Sequence, residues 1–389
     1  MDACLVYDPA FATYDLGPEH PLRPERFTLA VELMEAYGLV PPGTANGVPS
    51  SGAALRVVVP IPATDEQLAR VHSPAYIATV REACADPPWF ALARSGLGTM
   101  DTPVFPGMHD AAALIAGAAI AATEEVLSGA TRRAFSVAGG LHHAHRDRAA
   151  GFCVYNDCAV GIAHALAAQP DLRVLYVDID AHHGDGVQEL FWDDARVLTI
   201  SLHETGMALY PGTGFARERG GTGAPGSAAN VPLPPSATDA CYRLAFEEAV
   251  VPLARRFAPG LVVAQCGADA HHDDPLTTLG MTLPGHRWLV RSIVRLADEL
   301  AGGRLVAFGG GGYAWEHVVP RAWTAMAAEL AGIELPEELP AAWRERVMAL
   351  AGVEPPLTLS EDRFVVGRTV EERLLEETRV AVASLMAGA

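Results

Sequence analysis

Val174-Leu175-Tyr176-Val177-Asp178-Ile179-Asp180-Ala181-His182-His183-Gly184-Asp185-Gly186 holds an apolar run that breaks into a cluster of carboxylates and imidazoles. A continuous run of this kind reads as a strand buried on both faces. The polar residues after it then occupy a loop at its carboxyl end. The same pattern recurs along the chain. Leu55–Val59, Ala134–Ala138, Val197–Ile200, Leu261–Ala264 and Leu305–Phe308 are further runs, with helical stretches near 108–129, 156–168, 238–257 and 285–301. Strand and helix in alternation predict an α/β fold, a single-domain parallel β-sheet sandwiched by helices. In such folds ligands sit beyond the carboxyl ends of the strands.

The segments that follow the runs carry the chemistry. Gly139-Gly140-Leu141-His142-His143 and then Gly151–Asp157 follow the second run, and Ser201-Leu202-His203 closes the fourth. Gly267-Ala268-Asp269-Ala270-His271-His272-Asp273-Asp274-Pro275 follows the fifth, and Gly309-Gly310-Gly311-Gly312-Tyr313 the sixth. Each segment alone has an ordinary explanation, such as a hydrogen-bonded strand end or a tight glycine turn. Together they gather titratable groups at one end of four strands. Asp180, His182 and Asp269 offer two carboxylates and an imidazole, which leaves a coordination position open, as a catalytic divalent ion needs. His142 and His143 offer two bases, and Asp178 and Asp185 remain to orient them. Tyr313 is placed to donate to an oxyanion.

Bulk properties set outer limits. The chain has 389 residues, half of them hydrophobic, and a formal net charge of -19. The charge argues against sequence-independent binding to phosphate backbones and suits cationic substrates. No apolar run reaches the roughly 18 residues of a membrane span. Ala111–Ala122 is apolar but shorter, and reads as a buried helix. No basic segment followed by an apolar one opens the chain, so no secretory signal is expected. The six cysteines form no CxxC pair and read as free thiols of a reducing compartment, the cytoplasm.

Taken in order, the segments are similar to the arginase/deacetylase superfamily. Within it the chain resembles class I histone deacetylases and their bacterial acetoin-utilisation relatives. The resemblance is carried by Gly139–His143, Gly151–Asp157, Val177–Gly186, Ser201–His203, Pro211–Gly214, Gly267–Pro275 and Gly309–Tyr313. Gly17-Pro18-Glu19-His20-Pro21-Leu22-Arg23-Pro24-Glu25-Arg26 is most similar to the acetoin-utilisation branch. The resemblance implies one deacetylase domain over 1–389, with a catalytic core at about 5–330 and a helical extension at about 331–389. The extension comprises a Pro-rich segment, 335–357, and a terminal helix.

The resemblance also implies roles. Asp180, His182 and Asp269 would hold zinc, with Fe(II) or another divalent ion as alternatives. The ion would polarise the substrate carbonyl and a water. His143 with Asp185 would act as general base and then general acid, and His142 with Asp178 would assist electrostatically. The sequence leaves that division of labour open. Tyr313 would stabilise the oxyanion. Gly151, Phe152 and Tyr210 would line a narrow tunnel, and Asp101, in the loop Gly98–Pro103, would clamp the substrate backbone at its rim. A structural potassium ion is implied near Asp178, Asp180, His182, Ser201 and Leu202. Arg26 would lie by an internal pocket through which acetate leaves. Tyr210 stands where the family usually has phenylalanine, which brings a hydroxyl into the tunnel. Leu141 stands where it often has tryptophan, which is expected to widen the base of the pocket. Arginase-like relatives need carboxylates where this chain has Gly184 and His271, so one catalytic metal is expected.

The implied activity is hydrolysis of acyl-lysine in an acetylated protein or peptide, such as an acetylated metabolic enzyme, with no nucleic acid or membrane as partner. Two other readings fit the same residues. One is an acetylpolyamine amidohydrolase. The other is a silent acyl-lysine-binding protein, which the intact Tyr313, paired histidines and metal ligands oppose.

Overall fold

The computed structural model describes residues 2–48, 53–85, 89–360 and 363–387. Eight strands form one parallel sheet: β1 (Ala3–Val6), β2 (Arg56–Val58), β3 (Arg133–Ser136), β4 (Val174–Asp178), β5 (Val197–Glu204), β6 (Ala228–Leu233), β7 (Leu261–Gln265) and β8 (Leu305–Phe308). Their order across the sheet is β2-β1-β3-β8-β7-β4-β5-β6. β4, β5, β7 and β8 are buried along their length, as their uninterrupted apolar sequences require. The helices Met108–Leu127 and Asp157–Ala168 pack together beside the central strands. Glu25–Ala36, Leu283–Ala301 and Val318–Ala331 form a second packed group. Among the described residues no helix is long and apolar enough to cross a membrane.

Local chemistry sets the helix ends. The Asn156 side chain accepts the Ala159 N–H and starts one helix, and Thr282 caps another at the Gly285 N–H. Gly302, in the left-handed region, ends the second. The helical stretch expected near 238–257 runs Asp239–Ala245, a π turn Phe246–Val250, then Val251–Phe257. Pro252 follows the π turn and has no N–H to give, so the regular ladder cannot pass unbroken.

One expectation needs correction. Leu55–Val59 is not a strand buried on both faces. Its core, β2, pairs only with β1, lies at the sheet edge and is half-buried, and Val59 is exposed. β1 and β6 are strands outside the runs read from the sequence. The Pro-rich segment 335–357 contains a helix, Ala341–Ala351, whose Trp343 Nε1–H donates to the Leu29 carbonyl (2.9 Å). The terminal helix, Arg368–Met386, lies against β6 and sends Leu374, Val382 and Leu385 into the main core. Positions 361, 362, 388 and 389 of the extension lie outside the described residues.

The strand order positions the site. β3 and β4 follow one another in the chain, yet β8 and β7 lie between them. The loops after four adjacent central strands therefore meet at one carboxyl edge, where the connections diverge.

Candidate active site

The loop after β4 and the loop after β7 supply the candidate metal ligands. Asp180, His182 and Asp269 are buried and offer one donor atom each, all within 4.8 Å of one another. His182 Nδ1 lies 3.2 Å from Asp180 Oδ1 and 3.0 Å from Asp269 Oδ2. The other oxygens are held by the protein. Asp180 Oδ2 accepts from Gln265 Nε2 (2.7 Å) and the Gly311 N–H (2.8 Å), and Asp269 Oδ1 accepts the Ala181 N–H (2.8 Å). Two oxygens and one imidazole nitrogen remain turned toward a common point, a donor set that fits a divalent transition ion. Gly311 makes the approach possible, because a Cβ there would stand 2.0 Å from Asp269 Oδ2. A second donor group, His271, His272 and Asp273, lies outside this triad, with Asp273 exposed.

Two histidine–aspartate pairs stand beside the triad. His142 Nδ1–H donates to Asp178 Oδ2 (2.8 Å), and His143 Nδ1–H donates to Asp185 Oδ1 (2.7 Å). The two Nε2 atoms are 3.1 Å apart. With both Nδ1 protons committed to carboxylates, one Nε2 must donate and the other accept, so the pair shares one extra proton. Burial opposes charge on His142, and the Asp178 and Asp180 carboxylates outweigh it, carrying the ring to about 9. Burial and the charge on His142 push His143 down to about 4, against the pull of Asp185. His142 thus carries the charge and His143 keeps the lone pair.

Tyr313 is reached by the glycine run after β8, and its N–H donates to Asp274 Oδ2 (2.8 Å). Burial, followed by the Asp269 and Asp180 charges, holds its phenol well above the usual range, so it stays a hydrogen donor. Its ring lies edge-on to Phe152 (5.7 Å) and 6.5 Å from the His182 ring. Tyr210 stands over His143 (5.1 Å) and is 46 % exposed. The expected tunnel residues therefore meet the site, with Tyr210 at its open end. Gly151 packs so closely on His143 that a Cβ would lie 2.2 Å from the ring. Asp101 lines the same outer cavity as Tyr210, and its Oδ2 accepts the Gly151 N–H (2.8 Å).

The remaining expected residues are also near. Asp178 and Ser201 are register partners in β4 and β5, Leu202 follows in β5, and Ser201 Oγ lies 2.7 Å from His203 Nδ1. Arg26 is buried against Phe27 and Trp323 and donates to the carbonyls of Gly310 (2.9 Å) and Gly312 (3.2 Å). With Leu141, His142, His143 and Tyr313 it lines an inner cavity of about 20 Å³. That is room for about one water, and Leu141 forms part of its wall.

Sequence reading missed several contributors. Tyr176 donates its hydroxyl to Asp178 Oδ2 (2.7 Å) and Gln265 fixes Asp180. Tyr176 is two positions from Asp178, so the period of two puts it on the same face, and Gln265 ends β7 beside β4. Asp274, which holds the Tyr313 backbone, was quoted only as part of a motif. His145 touches Asp185 from the far side (3.4 Å).

Known proteins share the family domain and the fold. Residues 20–330 match the histone deacetylase domain. The chain is 40% identical over 339 residues to the acetoin utilization protein AcuC of Bacillus subtilis, covering 87% of this chain and 84% of that one. It is 37% identical over 320 residues to AcuC of Staphylococcus aureus, covering 82% and 79%. A crystal structure of an HDAC homolog complexed with SAHA superposes with TM-score 0.83 at 30% identity, covering 97% of this chain and 100% of the other. One from Aquifex aeolicus gives 0.82 at 29%, with the same coverage.

Proposed function

This chain belongs to the histone deacetylase family, and from that premise we propose that it hydrolyses the amide of acyl-lysine in a protein or peptide, with zinc as its metal. The observation that carries the reading is the meeting of three convergent ligands, a histidine pair with one shared proton and a phenol kept protonated. A divalent ion held by Asp180, His182 and Asp269 supplies Lewis acidity toward the acyl carbonyl and a water.

The chain's own groups handle the protons. His143 offers its Nε2 lone pair to the attacking water, with Asp185 holding the ring in register. The same nitrogen then returns the proton to the departing lysine amine, which leaves a carboxylate and a free amine. His142, charged and held by Asp178 and Tyr176, offsets the negative charge that develops beside it. Tyr313 donates to the tetrahedral oxyanion. Gly151, Phe152 and Tyr210 guide the aliphatic stem inward. Asp178 and the backbone around Asp180, His182, Ser201 and Leu202 would hold a structural potassium ion. The six unpaired thiols support a reducing compartment, which we take to be the cytoplasm. The packing of the terminal helix on the core supports one domain across 1–389.

Asp101 separates a peptide substrate from an acetylated polyamine. With Oδ2 bonded to Gly151, Oδ1 is left to accept the amides that flank an acyl-lysine. A polyamine has no such amides and gains only screened charge attraction. The test compares kcat/KM for an acetyl-lysine peptide, a longer acyl-lysine peptide and acetylputrescine in wild type and Asp101→Ala. We expect the peptide to be preferred and to lose about tenfold or more in the variant, with acetylputrescine little changed. Chelation should abolish turnover and one zinc per chain should restore it. Equal losses on both substrates would remove the backbone clamp. Turnover of acetylputrescine alone would replace the reading with that of an amidohydrolase of small amines.

A further inference from the structure

The His143–Asp185 pair does not end at Asp185. Asp185 opens the helix Asp185–Leu190, so Glu189 lies one turn along on the same face. The His145 ring fits between their carboxylates. Its Nε2 is 3.4 Å from Asp185 Oδ2 and its Nδ1 is 2.7 Å from Glu189 Oε2. The ring is only 6 % exposed, at the wall of a cavity of about 920 Å³ that also reaches Asp101 and Tyr210.

The backbone under this ring is fixed from behind. His72 Nδ1–H donates to the His145 carbonyl (2.9 Å), while His72 Nε2 accepts the Asn156 N–H (3.0 Å), which settles the His72 tautomer. The His145 N–H donates to the Arg148 carbonyl (2.9 Å). Arg148 also brings a guanidinium nitrogen within 2.9 Å of His145 Nε2. A guanidinium only donates, so Arg148 needs the Nε2 lone pair while Asp185 needs an Nε2–H. The two compete for one atom. Burial disfavours the imidazolium, but the hydrogen bonds with Asp185 and Glu189 outweigh it and lift the ring to about 9. Two carboxylates flank the ring and one guanidinium faces it, so the balance of charge favours an Nε2–H and gives Asp185 the stronger claim.

We infer that His145 is a positioning residue for hydrolysis, clasping the outer oxygen of Asp185 so that the inner oxygen stays in line with His143 Nδ1. The inference rests on the reading of His143 as the proton carrier. Without the clasp, Asp185 Oδ2 would face the water of the cavity, and the carboxylate could turn about its last torsion. A charged donor on that oxygen removes this freedom, as groups behind a reacting residue do elsewhere.

The experiment is a double-mutant cycle on the zinc-loaded protein. His145→Ala should lower kcat about tenfold, the worth of one charge-assisted hydrogen bond, with KM and metal content unchanged. In an Asp185→Asn background the same substitution should cost nothing further, because His145 acts only through Asp185. His145→Gln, closer in size, takes its place if the alanine variant does not fold. Losses that multiply across the cycle, or an unchanged kcat, would overturn the inference. The imidazole NMR spectrum gives a readout independent of turnover. The His143 Nδ1–H resonance should shift in His145→Ala and stay put if the clasp does not exist. If wild type turns over no acyl-lysine but that resonance moves, the proposed function fails while the clasp stands.

Discussion

The two histidine–aspartate pairs have nearly the same geometry and opposite states. The inner pair, His142–Asp178, spans 2.8 Å, and the outer pair, His143–Asp185, spans 2.7 Å. Asp178 is fully buried and takes a second bond from Tyr176, while Asp185 is 12 % exposed and has His145 Nε2 3.4 Å from its other oxygen. The inner ring is held charged near 9 and the outer is held neutral near 4. Hydrogen-bond length therefore does not decide which histidine can act as a base. The surrounding charges do: His142 also feels Asp180, whereas His143 feels His142.

The largest test of that contrast is to remove each ring in turn. His143→Ala should lower kcat about 10³- to 10⁴-fold, since the proton transfers lose their carrier. His142→Ala should cost about 10²-fold, because it removes charge stabilisation alone. Steady-state kinetics on metal-loaded variants measures both, and equal losses would erase the distinction.

A buried histidine with no carboxylate partner sharpens the contrast. His72 is buried and bonded only to backbone, and burial lowers it to about 4. Burial is the largest cause and outweighs the backbone bonds that favour the charged ring. In the unfolded chain histidine titrates near 6.5. Between those values the unfolded chain binds the extra proton, so folding stability falls as pH drops. His72 contributes fully above about 6.5 and nothing below about 4, a difference on the order of 3 kcal/mol. Urea unfolding of wild type and His72→Gln across that window should show a shallower pH slope in the variant. The same slope in both would mean that His72 is not held neutral by the fold.

The smallest effect belongs to Tyr176. Tyr176→Phe removes one donor from Asp178 and should lower kcat about fivefold at constant KM, the worth of one buried hydrogen bond. Unchanged kcat would reduce Tyr176 to packing, and the inner pair would need only Asp178.

The sequence made the central strands and their loops plain because burial on both faces leaves no choice but apolar residues. β6 escaped notice because Asn230 and Pro232 interrupt it. Asn230 is in the strand for polar work, donating to Gln188 Oε1 (2.7 Å). β1 is a short apolar run, Ala3–Val6, followed by no cluster of titratable groups to draw notice to it. Within the site, the residues joined to the metal triad and Tyr313 followed strand ends and were legible there. His145 was not, because its partners Asp185 and Glu189 are neighbours through a helical turn and lie some forty residues on. The two-residue offset that joins Tyr176 to Asp178 is visible only once the strand is known.

The order of the strands has a consequence for synthesis. When the chain has been made as far as β6, β3 and β4 exist with a gap two strands wide between them. Both flanking strands then present bare edges, which are liable to pair with other chains. The gap closes only when β7 and β8 arrive, and they bring Asp269 and Tyr313 with them. A nascent or truncated chain can therefore hold both histidine pairs and still lack a metal ligand and the phenol.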